Sequence, residues 1–268
     1  MSPLPFELAA ATVQGREHAR AGRNNQDAFF TRTSPRGLAA AVADGCGSGR
    51  QSELGAQLGA RRAVEGALAL LEEGLAPGSP GFLARLEADL LCFLGGLARE
   101  LGPSAVGEAL LFTLVGAVLT PDEVLVFCAG DGLWALNGEV HPIGPFPGNA
   151  PPYLAYGLFK PGTGSLCSLA LRPTAEVDSL VLGTDGAADL DGLAGACVPD
   201  SDEPVGPLSR LWTEDRYFSH PDALRRRLSL LNRESVRADF TARRLVRVPG
   251  LLADDTTLVI LRRQRERN

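Results

Sequence analysis

The sequence predicts an α+β fold, a layered sandwich of mostly antiparallel sheets. Three observations carry this. Short apolar runs are the commonest pattern, hairpin-type turns join most of them, and the helical stretches fall in blocks instead of following each strand. A doubly wound parallel sheet needs a helix after nearly every strand.

Residues 6–13 read as the first strand. Residues 27–33 and 37–44 follow as a pair around the turn Ser34-Pro35-Arg36-Gly37. Residues 52–73 predict a helix, with Leu54, Leu58, Arg61, Val64, Leu68 and Leu71 at helical spacing. After the break Ala76-Pro77-Gly78-Ser79-Pro80, a second helix spans about residues 82–101 and stops at Gly102-Pro103. Residues 109–119, 124–129 and 133–137 are strands, with Asn137-Gly138 as a hairpin turn. The Pro- and Gly-rich stretch 142–164 reads as loop. Strands at 167–171 and 179–183, a helix at 221–232 and a strand at 256–262 complete the pattern, ahead of a charged, frayed tail to Asn268. Neither a repeat nor a long linker divides the chain, so residues 1–268 are expected to form one domain.

Hydrophobic residues make up 45% and charged residues 22%, enough for a sizeable core. The formal net charge of −6 argues against nucleic acid and anionic membrane as partners. Lys160 is the only lysine, a composition bias without functional meaning. Five cysteines are scattered singly, without zinc or redox spacing. Together with an N-terminus that lacks signal-peptide character, they predict a reducing, cytoplasmic setting. No apolar run is long enough to predict a membrane span.

Four apolar runs end in aspartate: at Asp44-Gly45, Asp131-Gly132, Asp185-Gly186 and Asp254-Asp255. A fifth acid, Asp27, opens a strand. One Asp-Gly alone reads as an ordinary turn. Asp44-Gly45 and Asp185-Gly186, however, precede helical segments, where a hairpin turn has no place. Carboxylates gathered from separate strands repel one another unless cations neutralise them. All-oxygen ligands without His or Cys select Mg²⁺ or Mn²⁺, and a pair of such ions sharing a carboxylate suits phosphate hydrolysis. Other chemistries lack their motifs. His18, His141 and His220 have no zinc spacing, and Gly45-Cys46-Gly47-Ser48-Gly49 lacks both the Walker lysine and the dinucleotide spacing.

Read in order, these segments resemble the metal-dependent protein phosphatases of type 2C, closest to a compact bacterial branch. Asn25-Gln26-Asp27-Ala28 is similar to the family's first acidic motif. Residues 42–49, followed by Ser52-Glu53, resemble its most diagnostic segment. Gly130-Asp131, Thr184-Asp185-Gly186 and Asp254-Asp255-Thr256-Thr257 match three further motifs. The set spans about residues 15–262.

The resemblance implies a four-layer α-β-β-α sandwich with two central antiparallel sheets. It implies a protein-serine/threonine phosphatase that uses two Mn²⁺ or Mg²⁺ ions, with a phosphoprotein substrate and an opposing Ser/Thr kinase. Asp44 would bridge both ions, the Gly45 carbonyl would bind one, and Asp185 and Asp254 would bind the other. Asp27 would orient water, and Asp131 would give structural support. A mobile flap is implied for residues 198–219; a surface loop pinned by its aromatic cluster is the plain reading there, and the two are compatible.

The chain also departs from the family. Gln26 stands where many members carry Glu, Leu111-Phe112-Thr113 replaces Gly-Thr-Thr, and Gly132-Leu133 replaces Ser-Arg. With no Asp before Thr113, a third ion is not expected. The family's phosphate-binding Arg slot is Gly22, which leaves Arg20, Arg23 and His18 as candidates. Arg20 is the first choice, because a planar fork clamps phosphate, with His18 as partner or general acid. Gln26 and the missing Thr motif leave room for a phosphatase-like binding module with little turnover. A purely structural protein, with its Asp-Gly pairs as turns only, would bind no Mn²⁺.

Overall fold

β-Branched and aliphatic residues at alternate positions build two sheets that share one interior. The structure is a computed structural model describing residues 4–102 and 104–264; the expected helix stop at Pro103 and the tail beyond Gln264 lie outside the described residues. In chain order the elements are β1 (Phe6–Val13), α1 (Arg16–Ala21), β2 (Asp27–Ser34), β3 (Gly37–Gly45), α2 (Ser52–Glu72), α3 (Phe82–Leu101) and α4 (Ala105–Ala109). There follow β4 (Phe112–Leu119), β5 (Glu123–Ala129), β6 (Gly132–Leu136), β7 (Glu139–Ile143), β8 (Cys167–Pro173), β9 (Ser179–Gly183) and α5 (Asp185–Gly192). The chain ends with α6 (Arg210–Thr213), α7 (Ala223–Leu231), β10 (Ser235–Asp239), β11 (Arg244–Val248) and β12 (Thr256–Arg263).

One sheet runs β2-β3-β4-β5-β8 and the other β1-β12-β9-β6-β7. Every neighbouring pair is antiparallel. The two-residue period of β3 divides its side chains between layers. Leu38, Ala40 and Val42 meet Leu180, Leu182, Val259 and Leu261 between the sheets. Ala39, Ala41 and Ala43 lie beneath α2. A third apolar layer joins β1, β9 and β12 to α5, α6 and α7 through Val181, Leu190, Leu211, Leu224 and Ile260. The α-β-β-α sandwich is thus present, with short helices on the β12 side.

The face that α2 buries differs from expectation. Leu54 and Arg61 of the expected stripe are exposed, and the buried side is Gly55, Ala56, Gly59, Ala60 and Ala63 before it reaches Val64, Leu68 and Leu71. Close approach explains this. A Cβ on Gly59 would lie 2.2 Å from the Phe112 ring, so a leucine face would hold the helix off the sheet. Leucine periodicity points to the wrong side wherever small residues set the distance.

Two stretches to which the sequence assigns no helix or strand of their own contain structure. Residues 15–24 include α1, whose first amides donate to Leu252 O (3.0 Å) and Ala253 O (3.1 Å). Residues 142–164 hold β7's last residues and two 3₁₀ turns, with Tyr153, Leu154 and Ala155 buried against the α3 side. The β10–β11 hairpin also escaped the sequence reading. Residues 198–219 carry the aromatic pins that the loop reading expects. Trp212 and Tyr217 are buried, Arg262 pairs with Asp215 at 2.8 Å and lies 4.1 Å over the Phe218 ring, and Arg227 pairs with Glu203 at 2.9 Å. Among the described residues, no helix is long and apolar enough to cross a membrane.

Candidate active site

Strand register assembles the acids. Asp44, near the end of β3, pairs with Asp27 on β2 and with Thr113 on β4. Asp185 opens α5 directly after β9, and Asp254-Asp255 lead into β12. Asp131 follows β5. All these strand ends open at one cleft of about 250 Å³ lined by His18, Asp44, Gly45, Asp131, Asp185 and Asp254, with the Cys46–Ser48 loop and Tyr153 on its rim. No Arg or Lys lines it among the described residues.

The two acids of the last motif do different work. Asp255 is buried and accepts hydrogen bonds from the Gly15 amide (2.6 Å), the Gln26 amide (2.6 Å) and His18 Nδ1 (2.8 Å). It knots β2, α1 and the start of β12 together. Gly15 is required at this knot, because a Cβ there would lie 2.3 Å from the Asp254 carbonyl carbon. Asp254 is more exposed and faces the cleft. His18, Asp254 and Asp255 could together approach one cation, but the oxygens of Asp255 are already engaged by protein donors.

Asp27 is held from behind. Thr184 donates its hydroxyl to Asp27 Oδ2 at 2.7 Å, and Thr184 Oγ1 in turn accepts from the Thr257 amide at 3.1 Å. The other oxygen, Oδ1, is buried without a donor. Burial, opposed by the Thr184 hydrogen bond and reinforced by the Asp255 charge, pushes the Asp27 carboxyl up to about 8. Burial and the neighbouring charges of Asp27 and Asp185 hold Asp44 well above the usual carboxylate range. Asp185 rises to about 6 through burial, then through Asp254 and Asp131. Burial raises Asp131 as well.

Among the described residues, this is a crowd of carboxyls with His18 as the one basic side chain lining the cleft. An orphaned buried oxygen, mutual repulsion and an all-oxygen donor set together fit hard divalent cations. The group the resemblance implies is therefore one these residues suit.

The family description protein phosphatase 2C matches residues 14–240. The chain belongs to the protein phosphatase 2C family. Among solved structures, a bacterial serine phosphatase superposes with a TM-score of 0.56 at 14% identity, covering 98% of this chain and 100% of that one. The catalytic domain of the serine threonine protein phosphatase PstP, in complex with two manganese ions, gives 0.52 at 18% identity over 96% and 97%. Stp1 from Staphylococcus aureus gives 0.54 at 14% identity over 96% and 94%. At such identities the likeness concerns the fold. No curated protein sequence matches the chain.

Within this 2C-family chain the sequence-derived candidates separate. Asp44, Gly45, Asp185, Asp254 and His18 share the cleft, and Asp27 stands behind Asp44. Arg20 is not among the lining residues; its guanidinium meets Glu17 Oε1 at 3.2 Å on the α1 surface. Arg23 reaches the Gly47 carbonyl on the rim loop. Asp131, read as support, lines the cleft beside Asp185, and the same strand-to-Asp-Gly signal that marked Asp44 was available for it. Tyr153 came from a stretch with no motif at all.

Gln26 is 2% exposed and donates its amide to Ser52 Oγ (2.6 Å) and Gly49 O (3.2 Å). It therefore stitches β2 to the glycine loop and the start of α2. A carboxylate here would face the Gly49 carbonyl without a donor and would add charge beside Asp27. Gln26→Glu is expected to destabilise the metal-free protein by about 3 kcal/mol. Urea unfolding in chelator measures this, and an unchanged midpoint would show that the amide is dispensable.

Proposed function

We propose that this chain is a protein-serine/threonine phosphatase that depends on two divalent ions, Mn²⁺ or Mg²⁺. The observation that carries the reading is the cleft itself: Asp44, Asp131, Asp185 and Asp254 converge there with no basic residue among its described lining residues except His18. Asp44, the Gly45 carbonyl, Asp185 and Asp254 would hold the ions. Such ions, when bound, lower the pKa of water and neutralise charge on a transferring phosphoryl group.

The chain's own residues supply orientation and proton traffic. Asp44, held high by burial and then by its neighbours, would give up its proton on taking its place as an ion ligand. Thr184 fixes one oxygen of Asp27, and the other, buried behind Asp44 without a protein donor, would accept a hydrogen bond from the attacking water if water enters there. His18 is positioned through Nδ1 on Asp255, and its ring lines the cleft. In the protonated ring, Nε2 carries a proton to give to the departing seryl or threonyl oxygen. The phosphorus–oxygen ester bond breaks, a new bond forms from water, and the products are the hydroxyl side chain and inorganic phosphate. Arg23, tied to the rim at Gly47, is placed better than Arg20 to meet phosphate oxygens. The reading takes residues 1–268 as one functional unit acting in the cytoplasm on a phosphoprotein, against a Ser/Thr kinase.

A second reading, a phosphoprotein-binding module with little turnover, draws on Gln26, which the structure uses as a stitch and not as an acid. One assay separates the two. Hydrolysis of p-nitrophenyl phosphate should appear with Mn²⁺ and vanish in excess chelator. No hydrolysis at saturating Mn²⁺ favours the binding module, and full activity in chelator contradicts both.

A further inference from the structure

The β10–β11 hairpin belongs to neither main sheet; its two strands pair only with each other. Residues 233–248 carry five arginines (Arg233, Arg237, Arg243, Arg244, Arg247) against Glu234 and Asp239, a formal +3, in a chain whose net charge is −6. The register gives the hairpin two unlike faces. Ser235, Asp239, Val246 and Val248 form the half-buried one, and Arg237 pins it to Asp200 at 2.8 Å. Val236, Ala238, Leu245 and Arg247 share the other face, and Phe240 continues it at the tip; Arg247 pairs with Glu234 at 3.1 Å and Arg244 with Asp239 at 3.9 Å. Phe240 is 88% exposed, Leu245 74% and Val236 55%.

An apolar strip that ends beside Arg243, which has no acidic partner among the described residues, on an acidic protein selects for an acidic, partly apolar polypeptide. Its position says which one. After Val248 the chain needs only six residues to reach Asp254 at the cleft, at most about 20 Å of extended backbone. The cleft has no arginine or lysine among its described lining residues, so acidic residues flanking a phosphoserine find no partner inside it. We propose that the β10–β11 hairpin is the docking surface for the phosphoprotein substrate. It would hold an extended acidic segment outside the phosphorylated residue, with apolar side chains on Phe240 and Leu245 and a carboxylate on Arg243. The proposal rests on the phosphatase reading for its occupant, but not for its test.

The test uses phosphorylated casein as an acidic phosphoprotein and p-nitrophenyl phosphate as a substrate too small to reach the hairpin. Phe240→Ser with Leu245→Ser should raise KM for casein about tenfold, as loss of interface anchors does. Arg243→Glu should raise it too, and should flatten its dependence on salt. Hydrolysis of the aryl phosphate should stay within about twofold in every variant, which also shows that they fold. Anisotropy of labelled phosphorylated casein, measured in chelator, tests the surface even without turnover; the same variants should weaken that binding. Wild-type protein inert toward aryl phosphate would sink the phosphatase reading while leaving the anisotropy result to judge the hairpin. Four results would overturn the docking surface: unchanged casein binding, equal losses on both substrates, a dimer that the variants split, or displacement of casein by a single-stranded oligonucleotide.

Discussion

Asp44→Asn is expected to lower phosphatase activity on the order of 10³-fold or more while raising the melting temperature of the metal-free protein. The two effects have one cause. Asp44 is half-buried among Asp27, Asp185 and Asp254, and desolvation comes first among the causes that raise its pKa. Without ions, ionising it in that company is costly, so the native state keeps a proton there or loses stability. The amide removes that cost. In the proposed site the same carboxylate would offset charge on both ions, and the amide would leave them short of a ligand. A destabilised Asp44→Asn protein that still hydrolyses phosphate would put the centre elsewhere. Opposite signs for stability and activity are what a site kept strained for function should show.

The second large effect is on pH dependence. Asp27 rises to about 8 and Asp185 to about 6 in the folded, metal-free chain. Unfolded carboxyls titrate near about 4. Between these values the native state binds more protons than the unfolded state, so stability must fall as pH rises. The stabilisation is complete below about pH 4 for these groups, and is lost as pH climbs through about 6 and then about 8. In chelator the unfolding free energy should therefore drop by several kcal/mol between about pH 5 and about pH 8. Saturating Mn²⁺ should remove or reverse the slope, because ions bind the deprotonated acids of the native state. Thermal melts across that range, with and without Mn²⁺, read both limbs. A chelated protein that gains stability toward the alkaline end of that range would mean that the acids are paired in a way the cleft does not show.

Much of this was legible from the chain because strand ends write themselves plainly. β2, β3, β5 and β9 stop at Gly or Pro, and β1 and β12 give way to Gln or Arg, so their bounds fall within a residue or so of those read from the sequence. The acids sit at those same ends, which is why Asp44, Asp185 and Asp254 could be grouped before any geometry was known. What stayed hidden depends on distance and on partners remote in sequence. The Gly-Ala face of α2 reflects how close Phe112 comes to Gly59. The division of labour between Asp254 and Asp255 depends on the Gly15 and Gln26 amides, 240 and 229 residues away. α1 exists because Leu252 and Ala253 offer carbonyls to its first turn. Its six residues carry no periodic signal of their own. The β10–β11 hairpin hid for another reason: its alternation of Arg with Val and Leu marks no buried face.

The most direct test of the central claim is calorimetric titration of Mn²⁺ into chelator-treated, dialysed protein at neutral pH. The account predicts two ions per chain, proton release on binding, and loss of both sites in Asp44→Asn. A wild-type chain that binds no Mn²⁺ in its folded state would contradict it.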